Sequence, residues 1–564
     1  MKPNKTIHLY TEAGRALAGI PWDRYPRPQM RRDSFFCLNG EWDFSANGGA
    51  WETIRVPFAP ESLLSGICRD MGREPILVYR KSFRLPDGFV KKRVLLHFGA
   101  VDQTAEISLN GTPIGSHVGG YEAFSFDITD TLQEENLLEV KVTDRLDHHI
   151  LPYGKQRHDR GGMWYTPTTG IWQTVWCESV CETYVRRLEI ATGENFADIT
   201  AEGVKNGSVT VSTPEGELTF PFENGVAHVT LDASRLWSPE DPYLYEFTLR
   251  VGEDEIQSYF ALRTLTVVTV DGVPRLCLNG KPYFFHGLLD QGYYSDGIMT
   301  PATPEGYTED ILTMKRLGFN TLRKHIKVEP EQFYYDCDRL GMVVFQDMVN
   351  NGHYSFLRDT ALPTVGLKRL RDKYLHRDPA TRQAFCEGME STVRQLGNHP
   401  CICYWTIFNE GWGQFDSAAQ YEALKKLDST RFIDTASGWF AGAPSDVESL
   451  HVYFKPVKIK PSPKPIVLSE FGGYSYKPEG HVFNPDHTYG YRFFQDEQAF
   501  RRALVELYEN EILPAIPRGL CAAIYTQVSD VEDETNGLLS YDRAVLKVDE
   551  TEMKTLADRL LGSL

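Results

Sequence analysis

"GFNTLRKHIKVEPEQFYYDCDRLGMVVFQD", residues 318–347, decides the fold of the larger part of this chain. Gly318 stops one segment and the strand "FNTLR" follows at once. Pro330 then opens "EQFYYDCDRL", Gly341 ends it, and "MVVFQD" runs on. Proline at the start and glycine just past the end mark a short helix. A strand, a helix and a strand whose residues are apolar almost throughout read as one unit of a parallel sheet covered on both faces.

The same grammar extends in both directions. Upstream, Thr303 is placed to cap a segment that opens at Pro304 and sets Ile311, Met314 and Leu317 three apart. Downstream, Asp378 and Pro379 open a helix with Phe385, Met389, Val393 and Leu396 on one face and Gly397 at its end. The strands "YFFHGLLDQ", "CICYWTIFNE", "FIDTAS", "SLHVYF", "PIVLSEFGG" and "LCAAIYTQVSD" complete a set of eight with the two above. Eight such units predict a (β/α)8 TIM barrel over residues 269–564. Residues 1–181 read differently, as short alternating strands such as "RVLLHFGAV" and "NLLEVKVTD" broken by turns such as Asn110-Gly111, which predicts a jelly-roll β-sandwich. Strands every ten or so residues over 182–268 predict a smaller immunoglobulin-like sandwich. The chain is therefore expected to be multidomain.

Composition narrows the function. A net charge of −18 on 564 residues argues against a nucleic-acid surface, which needs a basic face. The N-terminal stretch has no secretory h-region, and nowhere do about 18 apolar residues run together, so neither a signal nor a membrane span is expected. The ten cysteines are scattered and sit mostly in apolar runs, as Cys277, Cys401 and Cys403 do. They read as reduced core residues of a cytoplasmic protein. Cys177 and Cys181 lack a second pair at zinc spacing.

Active sites of such barrels lie at the C-terminal ends of the strands. There the chain offers Asp290, Arg323, Asp347, Asn409 with Glu410, His451 with Tyr453, Glu470, and Gln527 with Asp530. Glu410 and Glu470 follow apolar runs that force both to one mouth. Two carboxyl groups in a partly dry mouth do not titrate alike, which suits glycosidic cleavage: one attacks the anomeric carbon while the other protonates the departing oxygen. Periodicity leaves open whether the pair stands at the separation of a retaining or an inverting enzyme.

"GNHPCICYWTIFNEGW" and "PIVLSEFGG" resemble the acid/base and nucleophile strands of glycoside hydrolase family 2, and the stretch at 318–347 resembles that family's arginine-bearing strand, helix and third strand. The order of sandwich, immunoglobulin-like module and barrel is also the family's. The resemblance implies a retaining mechanism with Glu410 as acid/base, Glu470 as nucleophile, Asn409 as donor to the sugar 2-hydroxyl, and Arg323 and Tyr453 beside Glu470. It implies no cofactor. His399, in "NHP", enters at the opposite end of the barrel and is expected to be structural.

Specificity is where the chain departs from the resemblance. The Asn-x-Lys motif with which the family's glucuronidases hold the sugar carboxylate is missing from "YTQVSDVEDETNGLLSYDR", and "RKHIKVEP" stands in place of the galactosidases' "RCSHYP". Lys324 and Lys327 are then the cations expected to turn into the mouth and pair with a uronate. In the first sandwich, "YGKQRHDRGGMWYTPTTGIW" is long, polar and aromatic and is expected to arch over the mouth, with Asp159 reaching the substrate and Trp164 as a sugar platform. Trp412, Trp439 and Tyr474 are further stacking candidates. His451, Asp290 and Gln527 are placed in the substrate site by their strand ends.

These features predict an exo-acting retaining β-glycosidase acting on an oligosaccharide or glycoconjugate, leaning to a β-galacturonide or β-glucuronide over a neutral β-galactoside. Self-association into a homo-oligomer stays open. Two competitors belong to other classes: a carbohydrate-binding protein without catalysis, and a metal-dependent hydrolase using His286, Asp290, His451 and Asp530, whose spacing resembles no compact metal motif.

Overall fold

A computed structural model describes residues 6–364, 372–440 and 444–563. Eight parallel strands form the largest sheet: β1 (Phe285–Asp290), β2 (Thr321–Lys324), β3 (Val343–Asp347), β4 (Ile402–Asn409), β5 (Phe432–Ser437), β6 (Glu448–Val452), β7 (Ile466–Gly472) and β8 (Leu520–Thr526). Their order is β5-β4-β3-β2-β1-β8-β7-β6, every neighbouring pair parallel. Among the described residues no ladder joins β5 to β6, so the barrel is nearly closed. Every residue of β3, β4, β7 and β8 is buried, because helices cover the outside while side chains fill the inside.

The helices follow their end signals with one exception. The helix α1 (Glu305–Arg316) has Pro304 at its N-cap and no side-chain cap, so Thr303 does not serve as expected. The next, α2 (Glu331–Leu340), stops at Gly341 with φ 74°, and a Cβ there would stand 2.5 Å from the carbonyl oxygen of Pro239 in the second sandwich. Glycine is required twice over, by the left-handed turn and by the docked sandwich. The third, α3 (Pro379–Leu396), begins where Asp378 accepts a hydrogen bond from the Thr381 amide at 2.9 Å, a cap that stabilises by about 1 kcal/mol.

The N-terminal sandwich packs a four-stranded sheet on a six-stranded one, with Trp42, Phe44, Tyr79, Leu96 and Val140 between them. The second sandwich packs three strands on four around Ile199, Val209, Ala227 and Phe247. The loop that follows strand Asn136–Thr143 leaves the first sandwich and lies on the barrel mouth. The Tyr153 amide donates to Asn350 O at 3.0 Å, the Tyr153 hydroxyl to Gly352 O at 2.8 Å, and the Thr166 amide to Glu532 Oε1 at 2.9 Å. All ten cysteines are free thiols, and no helix among the described residues is long and apolar enough to cross a membrane.

Candidate active site

Glu410 is the first residue past β4 and turns sharply, with φ 51°. A side chain in that left-handed region costs about 1–2 kcal/mol, and the turn is held by hydrogen bonds from the Glu410 amide to Ser437 O at 3.0 Å and from the Trp412 amide to Asn409 O at 2.8 Å. Glu470 lies inside β7 and is 5% exposed. His451 of β6 stands between them, with Nδ1 2.8 Å from Glu410 Oε1 and 3.4 Å from Glu470 Oε2. One oxygen of each carboxylate and the imidazole nitrogen all lie within 4.8 Å of one another. Ser437 Oγ is 2.7 Å from His451 Nε2, so a proton on Nδ1 serves both carboxylates and leaves Nε2 to accept from the serine.

Arg323 organises the floor of the mouth. Its guanidinium makes a two-point pair with Asp347 at 3.0 Å on each arm, and donates to Glu470 Oε1 at 3.0 Å, to Ser469 O at 3.1 Å and to Asn409 Oδ1 at 2.9 Å. A planar donor fork fully out of water is the group best suited to hold two carboxylates and an amide in fixed positions. Because Arg323 takes Asn409 Oδ1, the NH2 of that amide is left as the donor toward the mouth. Burial pushes the Asp347 carboxyl up, but Arg323 and His325 outweigh it and hold it below the usual range. Burial also drives His325 down to about 3 against the hydrogen bond from its Nδ1 to Asp347 Oδ2 at 2.8 Å.

The Tyr453 hydroxyl donates to Glu470 Oε2 at 2.6 Å and lies 2.9 Å from Thr526 Oγ1. Burial first and the Glu470 charge second hold this phenol far above its ordinary value, so it stays a donor. Both oxygens of Glu470 are thus fixed, one by Arg323 and one by Tyr453. Tyr491 stacks on Tyr453 at 3.7 Å, nearly parallel.

Several residues singled out in the sequence gather here: Glu410, Glu470, Asn409, Arg323, Tyr453 and His451, with the Trp439 ring 5.6 Å from His451. Trp164 joins from the sandwich loop, its ring 5.2 Å from Trp412. Other expectations fail. Lys324 and Lys327 do not face the mouth: Lys324 Nζ pairs with Asp290 at 2.7 Å and Glu329 at 2.9 Å over the Phe333 ring of α2, and Lys327 Nζ bonds Glu329 at 2.9 Å, Met299 O at 2.7 Å and Gly292 O. For Lys324 the reason is strand alternation, since Arg323 points inward and its neighbour must point out, while Lys327 lies past the end of β2 and is turned by the carbonyls of Gly292 and Met299 and by Glu329.

Asp290 is accordingly held by Lys324 and the Gly292 amide, away from the Glu pair. Asp159 points into solvent, its side chain 95% exposed and 3.6 Å from Arg73. Gln527 is fully buried and bonded to Gln291 at 2.8 Å and Glu534 at 3.3 Å. Asp530 pairs with Lys547 at 2.6 Å, and His286 packs on Phe319 and Tyr508, so the four residues of the metal reading do not converge. His399 is fully buried, 2.7 Å from Asp338.

Sequence reasoning passed over Ser437, His325 and Tyr491 as site residues. Ser437 ends β5 and was legible as a strand-end polar residue. His325 follows the strand, and Tyr491 lies in a loop with no periodic pattern to orient it.

Three family models match the chain: "Glycosyl hydrolases family 2, TIM barrel domain" over residues 268–536, "Glycosyl hydrolase 2 galactose-binding domain-like" over 61–193, and "Glycosyl hydrolases family 2" over 189–263. A β-galactosidase of Thermoanaerobacter pseudethanolicus is 25% identical over 426 residues, covering 70% of this chain and 53% of that protein. A β-glucuronidase of Bacteroides fragilis is 24% identical over 445 residues, covering 71% and 60%. This chain thus spans a little over half the length of these curated relatives. Among solved structures, a β-D-glucuronidase of Dictyoglomus thermophilum superposes with a TM-score of 0.72 at 18% identity over 95% of this chain and 98% of that one. A β-galacturonidase of Eisenbergiella tayi does so with 0.69 at 20% identity over 95% and 99%. Matched in all three modules and in their order, the chain belongs to glycosyl hydrolase family 2.

Proposed function

We propose that the protein is an exo-acting retaining β-glycosidase that releases a terminal sugar from an oligosaccharide or glycoconjugate, the sugar being a β-hexuronide, either galacturonide or glucuronide. One observation carries the reaction type: two carboxylates within 4.8 Å through their nearer oxygens, bridged by one imidazole nitrogen. Retaining enzymes hold the pair at roughly 5–5.5 Å, whereas inverting ones leave room for a water at roughly 6.5–9.5 Å.

Glu470 attacks the anomeric carbon, held by Arg323 on one oxygen and Tyr453 on the other. Glu410 protonates the leaving oxygen and then, as base, draws the proton from the water that hydrolyses the glycosyl-enzyme. Asn409 donates to the sugar 2-hydroxyl, a contact that strengthens in the oxocarbenium-like transition state. His451 keeps the two carboxylates in register, and Trp439 and Trp164 line the mouth. The exo character is supported by the sandwich loop, which closes one side of the mouth through Trp164 on Trp412 and Arg160 at 3.3 Å from Glu532. The hexuronide reading is supported by the fold neighbours, described as a glucuronidase and a galacturonidase; a neutral β-galactoside is the alternative.

A panel of aryl β-glycosides with the product anomer followed by NMR tests this reading. Initial release of the β-anomer is expected, and Glu470→Gln is expected to lose nearly all turnover. Release of the α-anomer, or a Glu470→Gln variant as fast as the parent, sinks the mechanism. The trio Glu410, His451 and Glu470 also has the donor set of a metal site. Loss of activity on chelation, restored by a divalent cation, would favour that second reading.

A further inference from the structure

Four lysines are buried among the described residues: Lys155, Lys324, Lys327 and Lys547. Three have a carboxylate on Nζ, from Asp290, Glu329 or Asp530. Lys155, 6% exposed, makes no ion pair or hydrogen bond through Nζ with any described residue. Among the described residues two rings stand beside its Nζ, Tyr165 with its centroid at 5.4 Å and Trp412 at 5.9 Å. Those distances approach the roughly 6 Å limit of a cation–π contact, which compensates an ammonium withdrawn from water far less than a carboxylate does.

The backbone drives this cation into the mouth. Gly154, in the left-handed region at φ 64°, packs so closely beneath Tyr121 and the carbonyl of Ile326 that a Cβ would stand 2.9 Å from that oxygen. Lys155 then follows, its own carbonyl taking the Tyr165 amide at 2.9 Å. Trp412 lies two residues beyond Glu410, and its buried Nε1 has no acceptor among the described residues. Asn350, whose carbonyl anchors Tyr153 two residues before Lys155, is 3% exposed. The ammonium of a nearly buried lysine and a buried indole N–H, neither with an acceptor among the described residues, lie together just past the candidate acid and offer two donors to an anion.

We infer that Lys155, carried by the N-terminal sandwich, is the specificity-determining residue that pairs with the substrate's carboxylate, with Trp412 Nε1 as a neutral donor beside it. The inference rests on the β-glycosidase reading and deepens it: the sugar is a uronate, and the cation that reads it comes from the sandwich, since the barrel lysines are occupied.

The test compares the parent, Lys155→Met and Lys155→Arg on p-nitrophenyl β-galacturonide and β-glucuronide against the matching β-galactoside and β-glucoside, with melting curves to verify folding. The ratio of kcat/KM for uronide over neutral sugar is expected to fall about 10- to 100-fold in Lys155→Met, and to recover in part in Lys155→Arg. An unchanged ratio overturns the inference. So does a parent that cleaves neutral glycosides with retention and no hexuronide, which leaves the glycosidase reading standing. If no glycoside is cleaved, titration calorimetry with free galacturonate and glucuronate decides: binding that Lys155→Met weakens at least about tenfold upholds the anion site without the hydrolase, and absence of uronate binding removes it.

Discussion

Arg323 and Lys324 are adjacent on β2, equally buried and equally cationic, yet they do opposite work. Arg323 points into the barrel and ties Asp347, Glu470 and Asn409 to one guanidinium. Lys324 points outward, over the Phe333 ring, into a network with Asp290, Glu329, Lys327 and the Tyr307 hydroxyl, which is 2.8 Å from Glu329 Oε2. The inner cation fixes the groups that the reaction would use, while the outer network compensates itself. A buried charge is thus informative about function only after its partners are counted.

Removing each cation's role is expected to break the molecule differently. Arg323→Met should give the largest effect, a fall in kcat on the order of a thousandfold on any substrate the parent cleaves, since it frees Glu470 and Asn409 together and leaves Asp347 uncompensated. Steady-state kinetics on folded variant protein checks this. Glu329→Gln should instead lower stability by about 3–5 kcal/mol, because two buried ammonium groups lose their shared carboxylate, while kcat per folded molecule stays within about threefold. Urea unfolding beside the same kinetics reads both; an equal loss of kcat in the two variants would erase the distinction. Gly292→Ala sharpens it further. A Cβ there would lie 2.0 Å from Glu329 Oε1, at φ 72°, and Glu329 cannot swing away because it already holds both lysines. A loss of about 1–3 kcal/mol with kcat preserved is expected.

The same contrast explains what the sequence made legible. All eight barrel strands could be read because apolar runs between helix-end signals admit few other folds, and Glu410 and Glu470 could be read because a carboxylate at the exit of such a run has one place to go. Period-two alternation also governs β2, and applied strictly it sends Lys324 outward once Arg323 is inward; Lys327 lies beyond the strand, where no period orients it. The sandwich loop is different in kind. "YGKQRHDRGGMWY" has no period, so nothing local separates Lys155, which turns in, from Asp159, which turns out. Its side-chain directions come from tertiary contacts at Gly154, Tyr153 and Trp412, and these exist only once the sandwich docks on the barrel.

The smallest expected effect concerns acid and the inner side of β2. His325 is held near pKa 3 in the folded chain against 6.5 ordinarily, by burial first, with Asp347 pulling the other way. Between pH 6.5 and 3 the unfolded chain binds a proton that the folded chain refuses, so this contribution to stability is complete above pH 6.5 and declines as pH falls toward 3. Asp347, held low by Arg323 against burial, adds a loss of the same sign as pH falls through its folded value. Buried carboxyls held above their ordinary values, among them Glu61, Asp144, Asp434 and Asp530, act with the opposite sign, so the His325 contribution is read as the difference between parent and variant in the slope of urea midpoint against pH from 6.5 to 4.5. His325→Gln should shrink that slope by at most one proton, about 1.4 kcal/mol per pH unit, with His97, His117, His149, His286 and His376, held near 4, keeping a slope in the variant. In a Glu329→Gln background the effect of His325→Gln on this slope should be the same as in the parent, because neither His325 nor Asp347 touches Glu329; a changed effect would show that the two sides of β2 titrate as one unit.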